Sequence, residues 1–459
     1  SKVQMDNGRY IGGLRGTGRQ LEFGYVKKLV LELFLVQAFS IDVSNEGFGA
    51  SLAMSICPRI KHRGGVPFVA LMLLAVSSSR LAAQNSPEPL ASSEPRSEAQ
   101  APEKPKLVVF LVVDQLRGDL LDRYASVFTG GLKRLLTEGL SFSQALHDHA
   151  QTETSPGHAT LSTGVFPHRA GIPSNAWREG EAYDLETVYN VVDPSESLVG
   201  DSGLPGSSPN VLRRTGIADW IMEADADARV VSVSAKDRAA VLMAGKARGE
   251  VYWFDPQVGR FVTSTYYRTE NPGWLQRFNE EGMKKYTADS VWVSTVPPEH
   301  AFLSAPDTAS FEADGIHSYF PHSFGDRFPR PQPGDFYFWF QGTPMLDQAT
   351  LDVALLALEA EELGQAEGRT DFLSISFSQT DRVGHAYGPL SREQMDNLLR
   401  LDRVVGTLLT VLDQKIGKGR YFVGLTGDHG VMNNPERIDE GGLRLSDKHR
   451  YELEKALSV

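Results

Sequence analysis

The sequence predicts an α/β domain: a mostly parallel, doubly wound sheet with helices on both faces and a cap or insertion. Two observations predict it. Four short apolar runs, at residues 107–113, 229–234, 371–377 and 421–426, alternate with helical patterns at 132–138, 350–363 and 392–412. Strands covered on both faces and joined by helices read this way. Each run is also followed by groups able to bind metal or phosphate: Asp114, then Lys236 and Arg238, then Asp381 and His385, then Asp428 and His429. Ligands of open parallel sheets gather outside the carboxyl ends of the strands, so the four clusters are expected on one rim.

The catalytic domain is expected to begin at residue 107 and to run to 459, with the cap at about 251–342, a stretch rich in aromatics and prolines and without a clear period. Ahead of it, Arg59, Lys61 and Arg63 precede an apolar run at 66–76 and a small-residue tail ending at Ala83. That order is the architecture of a signal peptide, and the run is about half the ~20 residues that span a bilayer. Residues 54–83 are therefore expected to direct export to the periplasm or beyond, leaving no stable membrane span after cleavage; a buried core helix is the plainer reading. Residues 1–53 would then lie upstream of the native start, and 84–106, with five prolines among Ser, Glu and Ala, would form a solvated tether.

A net charge of −12 argues against a nucleic-acid-binding surface, because phosphate backbones are held mainly by Lys and Arg. Cys57 is the single cysteine, so any metal site must be built from His and carboxylates.

Thr154 lies in Gln-Thr-Glu-Thr-Ser-Pro-Gly-His, immediately before an apparent helix start marked by Pro156. A helix N-terminus offers free N–H groups and a positive dipole to a phosphate, although Thr154 or Ser155 would also serve simply as an N-cap. Asp381 and His385 are four residues apart, on one side of a helical turn and in reach of one cation such as zinc. Asp428-His429, between two glycines at a strand end, offers two more ligand types, or alternatively a capping loop. Asp114 ends a wholly apolar strand, where an unpaired carboxylate is costly and a cation would neutralise it. Asn175 follows Ile-Pro-Ser and suits either a turn or an amide that donates to a phosphoryl oxygen. His158 and His168 are expected in packing or helix contacts.

In this order and combination, the motifs between about residues 106 and 435 resemble the type I phosphodiesterase and nucleotide pyrophosphatase branch of the alkaline phosphatase superfamily. They are most similar to its PafA-like alkaline phosphatases. The resemblance implies Thr154 as the nucleophile and two zinc ions, one held by Asp114, Asp428 and His429 and the other by Asp381 and His385, with Thr154 also a metal ligand. It implies that Asn175, Lys236 and Arg238 hold the phosphoryl group, and that the substrates are small phosphate monoesters. The Lys-Asp-Arg sequence belongs to the monoesterase members, whose dianionic substrate needs cationic partners. A phosphodiesterase, or an inactive phosphate- or metal-binding fragment, are the alternatives.

One departure stands out. The second metal site of the family takes a further His well beyond the Asp-His pair. Only thirty residues follow His429 here, and His449 sits among them in a charged helix start. The resemblance therefore implies a missing C-terminal part and a second zinc short of ligands.

Overall fold

The computed structural model describes residues 104–181, 184–287, 289–308 and 318–433. The upstream segment, the expected signal peptide, the tether up to residue 103 and His449 all lie outside the described residues.

The strands are β1 (Leu107–Val113), β2 (Ala176–Glu181), β3 (Asp184–Tyr189), β4 (Val192–Leu198), β5 (Asp201–Ser207) and β6 (Val230–Ser234). They continue with β7 (Glu250–Asp255), β8 (Arg260–Val262), β9 (Val291–Trp292), β10 (His322–Ser323), β11 (Asp371–Phe377) and β12 (Tyr421–Gly427). A six-stranded sheet has the order β12-β1-β11-β6-β7-β8. It is parallel except for β8, which returns antiparallel to β7. Its first four members in that order, β12, β1, β11 and β6, are the four runs read from the sequence.

The alternation within β1 shows why both faces are covered. Leu107, Val109, Leu111 and Val113 enter the larger core, which includes residues of the helices Met345–Ala360 and Arg392–Lys415. Val108, Phe110 and Val112 enter a second core with Ala218 and Trp220 of the helix Ile217–Ala224. A strand whose every side chain is buried needs no polar alternation, which is why it reads as an unbroken apolar run.

Two boundaries move. The expected cap at 251–342 begins too early, because residues 251–255 belong to β7 and β8 completes the sheet edge. Val251, Tyr252, Trp253 and Phe254 are buried core residues, so their aromatic character reflects packing and not a separate lobe. The tether also ends sooner than residue 106. The Lys106 N–H donates to the Arg420 carbonyl at 2.7 Å and the Pro105 carbonyl accepts the Thr370 hydroxyl at 2.6 Å, so both residues are fastened to the domain. Two hairpins, β2–β3 and β4–β5, fill the stretch between the Thr154 helix and β6. Among the described residues, no helix is long and apolar enough to cross a membrane.

Candidate active site

The carboxyl ends of β1, β6, β11 and β12 meet, and the polar residues that follow them converge. Asp114, fully buried just after β1, faces Lys236 just after β6: the ammonium donates to Asp114 Oδ2 at 2.6 Å and to Asp381 Oδ2 at 2.5 Å. One cation thus bridges two buried carboxylates. Burial alone would push the Asp114 carboxyl up, but Lys236, then His429 and His158, hold it well below the usual carboxylate range. Burial and the neighbouring Asp114 act on Asp381 in the same unfavourable direction. The His385 hydrogen bond and Lys236 outweigh them, and its carboxyl is also depressed.

Thr154 is the first residue of the helix Thr154–Thr163, not its cap; Glu153 occupies that position in extended conformation. The Thr154 hydroxyl is therefore free of a capping role. It lies 3.4 Å from Lys236 Nζ and 3.5 Å from both oxygens of Asp114. The helix reaches this position because residue 157 is glycine: a Cβ there would stand 2.3 Å from the Asp428 carbonyl oxygen.

Asp428 and His429 follow β12. Asp428 Oδ1 accepts the backbone N–H groups of Gln115 at 3.0 Å and His429 at 2.9 Å. Its Oδ2 is 3.0 Å from His158 Nδ1 but completes no hydrogen bond, since that nitrogen is directed at the Thr154 carbonyl 2.8 Å away. His429 Nε2 lies 3.3 Å from Asp114 Oδ1. Burial disfavours the His429 imidazolium, yet the Asp114 hydrogen bond and the Asp428 charge push it up to about 9. His385 Nε2 is 3.2 Å from Asp381 Oδ1, with most of its ring exposed, and that contact raises its affinity for a proton. One ligand atom each from Asp114, Asp381 and His429 lie within 4.8 Å of one another. This set crosses the two expected groupings: Asp114 shares Lys236 with Asp381 and also contacts His429, because β1 runs between β11 and β12.

Asn175 and Arg238 are positioned by neighbouring side chains and backbone groups. Asn175 Oδ1 accepts the Ser155 N–H at 2.9 Å, which turns its amide nitrogen away from the backbone. Glu153 Oε2 in turn accepts the Asn175 N–H at 2.8 Å, and Asn190 Nδ2 donates to Ser155 Oγ at 2.7 Å. Arg238 donates to the Tyr189 hydroxyl at 2.7 Å. Lys236, Arg238, Asp381, Arg382, His385 and Phe338 share the lining of a cavity of about 490 Å³.

All the predicted site residues except Asn175 and Arg238 touch the Asp114–Lys236–Asp381 centre directly or through one neighbour, and those two flank it. His158 makes the expected helix contact through Nδ1, and its Nε2 also reaches Ser376 Oγ at 2.8 Å. His168 is exposed and stacks on Phe166 instead of packing in a core. Sequence reasoning missed Gln115, whose Nε2 donates to Asp381 Oδ1 at 2.9 Å from a backbone with φ of 63°. It also missed Glu153, Asn190 and Asp347. Asp347 Oδ1 accepts the N–H groups of Ser378 at 3.0 Å and Gln379 at 3.3 Å, at the start of the helix Gln379–Tyr387 that carries Asp381 and His385. Its Oδ2 is buried without a partner, and burial pushes the carboxyl up to about 8. The positions of Gln115 and Glu153 next to Asp114 and Thr154 were the one local signal for them.

The type I phosphodiesterase / nucleotide pyrophosphatase family profile matches residues 108–455, which takes in every one of these site residues. The chain belongs to that family. Among its relatives is the alkaline phosphatase PhoV of Synechococcus elongatus, 36% identical over 373 residues, which are 80% of this chain and 66% of PhoV. The crystal structure of wild-type alkaline phosphatase PafA superimposes with a TM-score of 0.67 at 33% identity, covering 77% of this chain and 69% of that one. A variant of PafA superimposes with a TM-score of 0.66 at 34% identity, covering 72% of this chain and 64% of that one. In it one threonine is changed to serine, and one asparagine, one lysine and one arginine to alanine. The chain thus spans just under two-thirds of the length of PhoV. Within the family, the mostly parallel α/β sheet is shared with PafA.

Proposed function

We propose that this family member hydrolyses phosphate monoesters by transferring the phosphoryl group to Thr154 and then to water, at a centre with two zinc ions. The observation that carries the reading is the Lys236 ammonium held between Asp114 and Asp381 and 3.4 Å from the Thr154 hydroxyl. One ammonium is shared by two carboxylates there, which leaves net negative charge among oxygen and imidazole donors, so the residues present fit zinc. Asp114, Asp428 and His429 would hold one ion, Asp381 and His385 the other, with the Thr154 hydroxyl as a ligand. When bound, zinc supplies positive charge that favours the deprotonated form of a hydroxyl or water.

The chain's own groups account for the remainder. The Thr154 oxygen, at a helix N-terminus, attacks phosphorus in line with the leaving oxygen. Asn175 donates from its amide, while Lys236 and Arg238 bring positive charge to the equatorial oxygens, which carry an extra negative charge in a monoester. His158 fixes the Thr154 carbonyl and so the first turn of the helix. The relatives named alkaline phosphatase, and a PafA variant altered at the same four residue types as Thr154, Asn175, Lys236 and Arg238, support this reading. The sequence at 54–83 supports export to the periplasm or outside the cell.

The test compares a monoester and a diester on zinc-loaded protein carrying Lys236→Ala and Arg238→Ala together. The double variant is expected to lose about 10²–10³-fold in kcat/KM on the monoester and much less on the diester. Equal losses would favour a phosphodiesterase.

A further inference from the structure

Each cationic side chain at the centre of the site has a partner of its own. Lys236 has Asp114 and Asp381, and Arg238 has the Tyr189 hydroxyl with Asp237 at 3.9 Å. Arg382 differs. Among the described residues, no acceptor lies within hydrogen-bond or ion-pair distance of its guanidinium, although it is half-buried and lines the same cavity as Lys236 and Arg238. The acids whose charge it feels, Asp381 and Asp114, already bind the Lys236 ammonium. A partly desolvated arginine beside another cation is unfavourable unless an anion joins it.

The cavity is also larger than one phosphoryl group requires. At about 490 Å³ it falls in the range that encloses a whole small molecule. Arg382 follows Asp381 directly on the helix Gln379–Tyr387, so the helix that presents a floor carboxylate also fixes the arginine at the cavity wall.

We infer that Arg382 is a specificity residue that binds a second anionic group, carried by the leaving group. The favoured substrates are then phosphate monoesters bearing a carboxylate or a further phosphoryl group beyond the ester oxygen. The planar guanidinium suits either anion, because both accept two parallel N–H bonds. This inference rests on the phosphatase reading for the word substrate, but the anion subsite itself is a matter of binding.

The experiment uses the full zinc-loaded chain in a Thr154→Ala background, with binding measured by calorimetry. Three probes serve: glycerol phosphate, phosphoglycerate, which carries a carboxylate where the first has a hydroxymethyl group, and pyrophosphate. Phosphoglycerate is expected to bind at least about tenfold tighter than glycerol phosphate, and adding Arg382→Ala should erase that ratio, while Arg382→Lys should retain part of it. Pyrophosphate binding tighter than phosphoglycerate would assign the subsite to a phosphoryl group, and the reverse to a carboxylate. Equal affinity for glycerol phosphate and the probes that carry a second anionic group, an equal loss on all of them in Arg382→Ala, or no binding of any probe overturns the inference. Hydrolysis by protein with Thr154 intact is measured in parallel. If no probe is turned over while the Arg382-dependent ratio persists, the phosphatase reading fails and the anion subsite stands.

Discussion

The floor of the site and its wall are built on opposite principles. On the floor, Asp114, Asp381, Asp428 and Lys236 are almost wholly buried, and each charge meets a donor or an opposite charge from the protein itself. On the wall, His385 is 72% exposed at its side chain, Phe338 is 52% exposed, and Arg382 has no protein partner among the described residues. The floor is therefore completed by folding, while the wall is completed by what binds. Residues of the first kind should affect the chemical step and the stability of the domain; those of the second should affect the choice of substrate.

The sharpest way to break this contrast is Thr154→Ala. It removes the hydroxyl proposed to react but leaves the floor's ion pairs intact. Turnover should fall by on the order of 10⁴-fold or more, while zinc content and thermal midpoint stay close to wild type. Phosphoenzyme trapped on Ser155 and seen by mass spectrometry would move the nucleophile by one residue.

A smaller effect is expected from Lys236→Ala in zinc-free protein. Two buried carboxylates would lose their shared cation, which costs about 3–5 kcal/mol when one partner of a buried pair is removed. Urea midpoints measure the loss, and zinc should restore more stability to the variant than to the wild type. A midpoint unchanged without zinc would mean that the floor is not held together from within.

The smallest effect concerns Asp347, which supports the floor from behind. Its carboxyl is raised from an ordinary 3.8 to about 8 by burial, so the folded chain holds this proton where the unfolded chain has released it. The stability it confers is complete below the ordinary value and is lost as pH rises through about 8, by at most about 1.4 kcal/mol per pH unit. Asp347→Asn keeps an oxygen for the Ser378 and Gln379 N–H groups and should flatten that dependence between pH 4 and 8. Denaturant midpoints across this range check it, and a parallel slope in both proteins would remove Asp347 as the source.

How much of this could be read in the sequence follows from how local each feature is. β1 was legible because every residue in it is buried and apolar, and β11 because its buried residues are apolar or small serines after a single leading Asp371. β7 was not, because Glu250–Asp255 has acidic ends and aromatic residues that resemble an irregular insertion. Asp114, Thr154, Lys236, Asp381 and His429 were legible as reactive residues next to strand or helix ends. Their neighbourhood was not. That Lys236 joins Asp114 to Asp381 follows from β11 lying between β1 and β6, and no local pattern encodes strand order. Asn190 and Arg382 were invisible for a related reason: one acts on Ser155 from 35 positions away, and the other is notable only for contacts it lacks.

The position of β1 has a consequence for how the chain is made. Among the described strands it is the first to leave the ribosome, yet both its neighbours in the sheet, β11 and β12, come last. The contact from Gln115 to Asp381 closes 266 residues of chain, and that from Gln115 to Asp428 closes 313. At a synthesis rate of about 5–20 residues per second, a seven-residue, wholly apolar strand waits on the order of ten seconds to a minute before its partners exist. Such a segment is prone to pair with other nascent chains while it waits. The geometry that gathers the site at the centre of the sheet thus rests on contacts of high sequence separation, the kind that forms late in folding.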